Sequence, residues 1–281
     1  MKHFALLGHP LGHSMSPFIH EALFSLGGRQ GDYRLCPLPP EELEQGIPSL
    51  LALDGFNITI PYKQAVIPYL DRLDESAARY RSVNTAARGS QGRWVGYNTD
   101  AFGFLSALGA MGASLSGEVL LLGSGGTGKM MAVETLLAGG HLTLAVRDPE
   151  SPSARGLCAF LKELFPGRPF AVTPLSQAAG RFDLLLNSTP VGMYPHPDAL
   201  PVSPELAASV PFVFDAVYNP EDTRLVQAAQ AGGATARSGM AMLVRQAARA
   251  QEIWLGASFP EEQLAAITAA ASRELRRLFP Q

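Results

Sequence analysis

Residues 119–138 read VLLLGSGGTGKMMAVETLLA, and this stretch decides the fold. The unbroken apolar run VLLLG has the length of a buried strand, and a helix is predicted from about Lys129 to Ala138. Between them Gly123-Ser124-Gly125-Gly126-Thr127-Gly128 satisfies the spacing G-x-G-x-x-G, a weak pattern alone that gains weight between a strand and a helix. Glycines there let the chain turn tightly, approach a pyrophosphate and pack helix on strand. Free N–H groups at the helix start then face the anion. A purely structural glycine turn is the plainer alternative. With the strand LTLAV at 142–146 the pattern completes a mononucleotide-binding unit, which points to a dinucleotide cofactor and a nicotinamide-dependent oxidoreductase.

A rival must be weighed, because Gly123 to Lys129 also matches the opening of a P-loop, G-x-x-x-x-G-K. The next position is Met130, which has no hydroxyl for magnesium where a P-loop needs Ser or Thr. The type of dinucleotide turns on the end of the second strand, where an acid suits a ribose hydroxyl and an arginine a 2′-phosphate. Arg147 and Asp148 occur side by side. Arg147 comes first and Arg155 could add a second cation, so NADP is favoured and NAD stays open. Asp148, followed by Pro149, equally suits a turn or a helix N-cap.

Working outward, short apolar runs at 170–172, 184–187 and 213–215 predict further strands, for an open parallel sheet of about six. Before the glycine turn the chain alternates a strand at 4–8, a helix at 16–26, a strand at 31–38, a helix at 41–53 and a strand at 55–60. These read as βαβ units with a largely parallel sheet. A connecting helix is predicted at 101–111, and the tail from Met240 to Phe279 reads as two helices broken near 256–260. The fold class is therefore α/β with two domains: an N-terminal α/β domain and a Rossmann-type doubly wound parallel sheet.

The bulk properties agree. A chain of 281 residues suggests two domains, and 47% hydrophobic with 17% charged residues describes an ordinary globular protein. A net charge of −3 with scattered Lys and Arg gives no basic stripe for nucleic acid or an anionic membrane. Cys36 and Cys158, far apart and without a nearby His pair, support neither a disulfide framework nor a zinc site. No metal is expected. The first apolar run is too short for a signal peptide and no segment approaches a membrane span, so the cytoplasm is the expected compartment. Nothing indicates an interface, leaving monomer and homodimer open.

The N-terminal half carries polar clusters that core packing would not ask for. Ser14 and Ser16 precede a helix, where Ser16 with Pro17 reads as an N-cap pair. Capping does not explain Ser14, and two hydroxyls beside helix N–H groups suit a carboxylate. Asn57-Ile58-Thr59-Ile60-Pro61-Tyr62-Lys63 reads as a strand end and a proline turn, where open α/β sheets bind ligands. Ser82-Val83-Asn84-Thr85 and Gly96-Tyr97-Asn98-Thr99-Asp100 add amides, hydroxyls and a carboxylate in what read as turns. Trp94 and Trp254 read as packing residues, His13 as structural or hydrogen-bonding, and the other histidines lack metal-ligand spacing.

Taken in order, GHPLGHSMSPFIH, NITIPYK, SVNT, GYNTD, GSGGTG, NSTPVGM at 187–193, DAVYNPEDT at 215–223 and GMAMLVRQA at 239–247 resemble the shikimate dehydrogenase family over nearly the full length. The resemblance implies reversible oxidation of shikimate to 3-dehydroshikimate with NADP, a step of aromatic amino-acid biosynthesis. It implies that Ser14 and Ser16 hold the substrate carboxylate and that Asn57, Thr59, Asn84, Tyr218 and Gln246 line the pocket. Lys63 and Asp100 would sit at the reacting hydroxyl, Lys63 moving the proton and Asp100 orienting it. Gly123, Gly125, Gly126, Thr127 and Gly128 would form the pyrophosphate turn, with Arg147 on the phosphate and Thr189, Gly239 and Met242 on the nicotinamide side. The C-terminal helices would return to the first domain, giving a substrate domain of residues 1–100 plus 241–281 and a cofactor domain of residues 101–240.

The chain also departs from the family pattern. Many NADP-using members carry Asn-Arg-Thr where this chain has Val146-Arg147-Asp148. An NAD-preferring quinate/shikimate dehydrogenase is therefore the enzymatic alternative, and a non-catalytic dinucleotide sensor the alternative of another class. Intact Lys63 and Asp100 argue against the sensor.

Overall fold

The structure, a computed structural model, describes residues 1–12, 14–89 and 91–280; His13 lies outside the described residues. Strand β1 (Lys2–Gly8) leads through helix α1 (Ser16–Leu26) to β2 (Gly31–Pro37), and α2 (Leu43–Leu51) to β3 (Gly55–Ile58). There follow β4 (Arg72–Leu73), α3 (Glu75–Tyr80), β5 (Thr85–Arg88), β6 (Trp94–Tyr97) and α4 (Asp100–Met111). The next stretch alternates β7 (Glu118–Leu122), α5 (Gly126–Leu137), β8 (His141–Val146), α6 (Pro152–Leu164), β9 (Ala171–Pro174) and β10 (Leu184–Asn187). It continues with α7 (Pro204–Ser209), β11 (Phe212–Asp215), α8 (Arg224–Ala231) and β12 (Thr235–Ser238), and the chain ends in α9 (Met240–Leu255) and α10 (Glu261–Leu278). Two compact units result, Met1–Gly103 with Leu243–Gln281, and Phe104–Met242. Both boundaries fall inside helices, α4 and α9.

The first unit's sheet has the order β2-β1-β3-β5-β6-β4. It is largely parallel, as expected from sequence, in the pairs β1–β2, β1–β3 and β4–β6, with one strand reversed: β5 runs antiparallel to both β3 and β6. Only five residues separate β5 from β6, too few for the crossover a parallel pair needs. The same pairing corrects the polar clusters read as turns, since Thr85 opens β5 and Gly96 and Tyr97 close β6. Strand alternation splits the core into two faces. Ala5, Leu7, Phe56 and Ile58 pack with Leu50, Tyr62 and Trp94 on one side. Phe4 and Leu6 pack with Phe24, Tyr33 and Trp254 on the other. Asn57, between Phe56 and Ile58, pairs in register with Leu6 and shares this second face.

Trp254 in α9 joins the C-terminal helices to that face, stacking on Phe4 at 4.5 Å and donating its indole N–H to Ala86 O at 2.9 Å. The predicted helix at 41–53 is a 3-10 turn followed by α2, which tolerates Pro48 within it.

The second unit's sheet has the order β12-β11-β10-β7-β8-β9, every pair parallel. Counted from β7, that is the Rossmann order 3-2-1-4-5-6, whose crevice lies beyond the strand ends at the β7–β10 switch point. Its central strands are apolar because both faces are covered; Val119, Leu120, Leu121 and Leu122 are all buried. Helix α5 starts at Gly126, three residues earlier than predicted, since glycines read as turn residues also fit a helix's first turn.

Among the described residues, no helix is long and apolar enough to cross a membrane, and no group of three or more His, Cys, Asp and Glu could hold a metal ion.

Candidate active site

In the first unit the candidate residues meet through one polar network. Lys63, five residues past β3, places Nζ 2.5 Å from Asp100 Oδ2, and Asp100 opens α4. The other carboxylate oxygen, Oδ1, accepts from Asn84 Nδ2 at 2.8 Å. The Asn84 amide is itself fixed: its Oδ1 accepts the Thr99 backbone N–H at 2.7 Å, so its nitrogen must face the acid. Gln246 Oε1 lies 3.4 Å from both Asn84 Nδ2 and Thr99 Oγ1, while its own amide nitrogen donates to Leu243 O at 2.9 Å. Lys63 and Asp100 keep 24% and 17% of their side-chain exposure, so the pair is sheltered yet reachable. A charged donor on a carboxylate beside a half-open surface can pass a proton to a bound hydroxyl or carbonyl oxygen.

Asn57 sits deeper. It accepts the Tyr33 hydroxyl at 2.8 Å and donates to Thr85 Oγ1 at 2.9 Å and Asn84 O at 3.2 Å. Burial raises the Tyr33 phenol well above its usual range, with the Ser16 hydroxyl working against it. The chain Ser16, Tyr33, Asn57, Asn84, Asp100 thus connects the two serines to the acid. Thr59, just past β3, is half-buried.

Ser16 proves to be the first residue of α1 rather than its N-cap. Met15 holds the cap position and no side chain caps the helix, while Ser14 Oγ accepts the Ser16 backbone N–H at 3.2 Å.

Three further residues of this network were not singled out from sequence. Tyr33 braces Asn57. His20 stacks on Tyr33 with ring centroids 4.0 Å apart. Gln251, on α9, donates to His20 O at 2.9 Å and lies 3.2 Å from His20 Nδ1. Burial drops the His20 imidazole to about 3, and Asn57 only partly offsets this, so the ring is neutral. A polar residue at 16 or 57 within an apolar run gave a signal; partners as far as 231 residues away gave none.

The second unit holds the glycine turn. Gly123 has φ +99°, open to glycine but strained for other residues, and a Cβ on Gly128 would lie 2.6 Å from Gly123 O. These two glycines are needed for the turn itself. By contrast Gly125 and Gly126 are exposed and a Cβ there would meet nothing within 4 Å, leaving room over the first turn of α5 for a phosphate. Thr127 is half-buried in that turn. Met130 is buried, so its side chain belongs to the core and no P-loop metal site exists at that position. The turn therefore fits a dinucleotide pyrophosphate.

Arg147 is exposed just past β8. Asp148, also exposed, is held in a local loop, its Oδ1 accepting Glu150 N–H at 2.9 Å and its carbonyl accepting Ser151 Oγ at 2.7 Å. Arg155 pairs with Glu150 at 3.6 Å. Thr189 follows β10, half-buried; Gly239 donates its N–H to Val217 O at 3.0 Å, and Met242 is buried in α9. Tyr218, past β11, has its phenol raised by burial.

With this geometry in hand the comparisons are specific. Residues 6–86 match the shikimate dehydrogenase substrate binding domain. A shikimate dehydrogenase (NADP(+)) of Rubrobacter xylanophilus is 41% identical, covering 89% of each chain. The chain belongs to the shikimate dehydrogenase family. Among solved structures, a shikimate 5-dehydrogenase of Thermus thermophilus in complex with NADP(H) and shikimate superposes with a TM-score of 0.84 at 34% identity, over 96% of this chain and 100% of that one. The 5-ketofructose reductase of a Gluconobacter strain superposes at 0.82 with 29% identity, over 99% of each chain. One fold therefore serves a shikimate 5-dehydrogenase and a 5-ketofructose reductase, and the substrate must be argued from the side chains.

Proposed function

We propose that this chain is an NADP-dependent shikimate dehydrogenase, interconverting shikimate and 3-dehydroshikimate. The observation that carries the reading is the Lys63–Asp100 contact with Asn84 closing the other carboxylate oxygen. Oxidising a secondary alcohol removes a hydride from carbon and a proton from oxygen. Bound NADP supplies the hydride acceptor. Lys63 handles the proton: neutral, it takes the hydroxyl proton, and charged, it returns a proton to the carbonyl oxygen. Asp100 holds Nζ in place and is itself oriented by Asn84.

Ser14 and Ser16 at the start of α1 bind the ring carboxylate, and Asn57, Thr59, Gln246 and Tyr218 contact the ring hydroxyls. In this reading the first unit is the substrate domain and the second the NADP domain. The turn of Gly123, Gly125, Gly126, Thr127 and Gly128 takes the pyrophosphate, Arg147 the 2′-phosphate, and Thr189, Gly239 and Met242 the nicotinamide end. NADP is preferred over NAD because Asp148, the acid that would suit a ribose hydroxyl, is engaged by Glu150.

A cofactor-resolved assay tests the whole reading. Shikimate with NADP should turn over with kcat/KM at least about tenfold above shikimate with NAD, as one charge-assisted contact supplies. Faster turnover of quinate, or of NAD, would replace this reading with the quinate/shikimate alternative.

A further inference from the structure

Asn187 and Asp215 are completely buried polar residues for which the proton chemistry has no use. Each closes an otherwise apolar strand, LLLN in β10 and FVFD in β11, and the parallel register sets them opposite each other. Asp215 Oδ1 accepts from Asn187 Nδ2 at 2.9 Å and from Val217 N–H at 3.0 Å, and Oδ2 accepts from Thr223 Oγ1 at 2.7 Å. Asn187 Oδ1 accepts from the Thr189 backbone N–H at 3.0 Å and from the Thr189 hydroxyl at 2.7 Å. Two partners fix the direction of this amide independently. An ionised carboxylate can only accept, so it demands the amide nitrogen, and a backbone N–H can only donate, so it demands the amide oxygen.

Counting protons then shows what Thr189 has left. Its one hydroxyl proton goes to Asn187. One lone pair takes the Val191 N–H at 3.3 Å, and the second is uncommitted on a half-buried residue. Toward a ligand, Thr189 is an acceptor and not a donor.

We propose that Asn187, held in orientation by Asp215, is a positioning residue that locks the Thr189 hydroxyl as a hydrogen-bond acceptor for the N–H of the nicotinamide carboxamide. This rests on the reading of Thr189 as a nicotinamide-side residue. It follows that a cofactor carrying an acetyl group in place of the carboxamide, with the carbonyl kept and the N–H lost, is discriminated against.

Calorimetric binding of NADP and of its 3-acetylpyridine analogue, without turnover, tests this in the whole chain. The unmodified chain should bind NADP about 3- to 10-fold more tightly than the analogue, the worth of one neutral hydrogen bond. Thr189→Val should bring the ratio close to one by weakening NADP alone, and Thr189→Ser should restore it. Asn187→Leu, with Asn187→Ala as the second variant should the larger side chain not fold, should collapse the ratio although Thr189 is intact. A ratio unchanged in Thr189→Val, or unchanged in a folded Asn187 variant, overturns the proposal. Failure of the unmodified chain to bind NADP at all would overturn instead the functional reading beneath it.

Discussion

The two units each pair an asparagine amide with an aspartate: Asn84 with Asp100 at 2.8 Å in the first, Asn187 with Asp215 at 2.9 Å in the second. The motif is the same and the outcome opposite. Asp100 has a lysine on its second oxygen and stays partly exposed. Asp215 has only the Thr223 hydroxyl there and is wholly buried, so desolvation, only partly offset by its hydrogen bonds, lifts its carboxyl to about 6. A cation with solvent access keeps a carboxylate available for chemistry, whereas burial among neutral donors turns it into a brace.

The largest effect comes from removing the feature that separates the two. Lys63→Ala makes Asp100 a carboxylate without a cation, and kcat should fall by about 10²- to 10⁴-fold, the usual worth of a positioned proton-transfer group. KM for shikimate should change far less in steady-state kinetics. A loss of kcat below about tenfold would mean that the cation does not set Asp100 apart.

Acid titration sharpens the contrast, because each unit also buries one group whose charge is suppressed. His20 in the first unit sits at about 3 against an ordinary 6.5, and Asp215 in the second at about 6 against 3.8. Folded His20 binds fewer protons than unfolded between those values, so its stability is present above 6.5 and lost as pH falls toward 3. Folded Asp215 binds more protons between 3.8 and 6, so stability rises as pH falls through 6. From about pH 6.5 to about 4.5 His20 should cost the first unit about 2 kcal/mol, while Asp215 returns about 2 kcal/mol to the second. The chain's two tryptophans, Trp94 and Trp254, both lie in the first unit. Urea unfolding followed by tryptophan fluorescence should therefore weaken on acidification, and His20→Asn should flatten that slope. The slope should survive in Asp215→Asn; if it vanished there instead, the assignment of the two groups would be reversed.

These buried partners also mark where the sequence stops speaking. Helix α1 was legible from Ser16 to Leu26 because Pro17 and the apolar spacing are local, and the central strands β7, β8, β10 and β11 were legible because they are apolar runs, whereas the edge strand β12, Thr-Ala-Arg-Ser, gave no such signal. The β5–β6 hairpin was not, since the polar residues at 82–85 and 96–100 resemble loop composition although the sheet buries Asn84, Thr85, Asn98 and Thr99. Lys63, Asp100 and Asn84 were found through family motifs, which their scattered positions alone would not have joined. Asn187 and Asp215 carried a usable signal: a polar residue closing an otherwise apolar strand. Tyr33, His20 and Gln251 carried none, because their contacts cross 13 to 231 residues.

The glycine turn offers the same contrast between filled and open positions. Gly128→Ala would push a Cβ against Gly123 O and Ser188 Oγ, each 2.6 Å away, and should lower stability by about 1–3 kcal/mol. Gly126→Ala meets open space, so thermal unfolding should hold or improve, by up to about 1 kcal/mol for alanine in a helix, while NADP binding weakens. Equal effects on stability would erase the distinction between the glycines that build the turn and those that face a ligand.

The smallest effect concerns a third carboxylate, Asp148, which is more exposed than Asp100 and, like Asp215, accepts a backbone N–H two residues on. Its Oδ1 accepts the Glu150 N–H, which holds the acid in the turn after β8. In the proposed function Arg147, exposed just past β8, reads the 2′-phosphate. Arg147→Ala should weaken NADP about tenfold in titration calorimetry and leave NAD unchanged, since only the former carries the charge the guanidinium meets. Asp148→Asn should shift the NADP-to-NAD ratio by less than about twofold, because the amide oxygen can still accept the Glu150 N–H and keep the turn. A larger shift toward NADP in Asp148→Asn would show that exposure outweighs the turn. The acid would then repel the phosphate directly, and the rule drawn from Asp100 and Asp215, that a carboxylate's role follows from what already holds its oxygens, would fail at the one place where the family pattern departs.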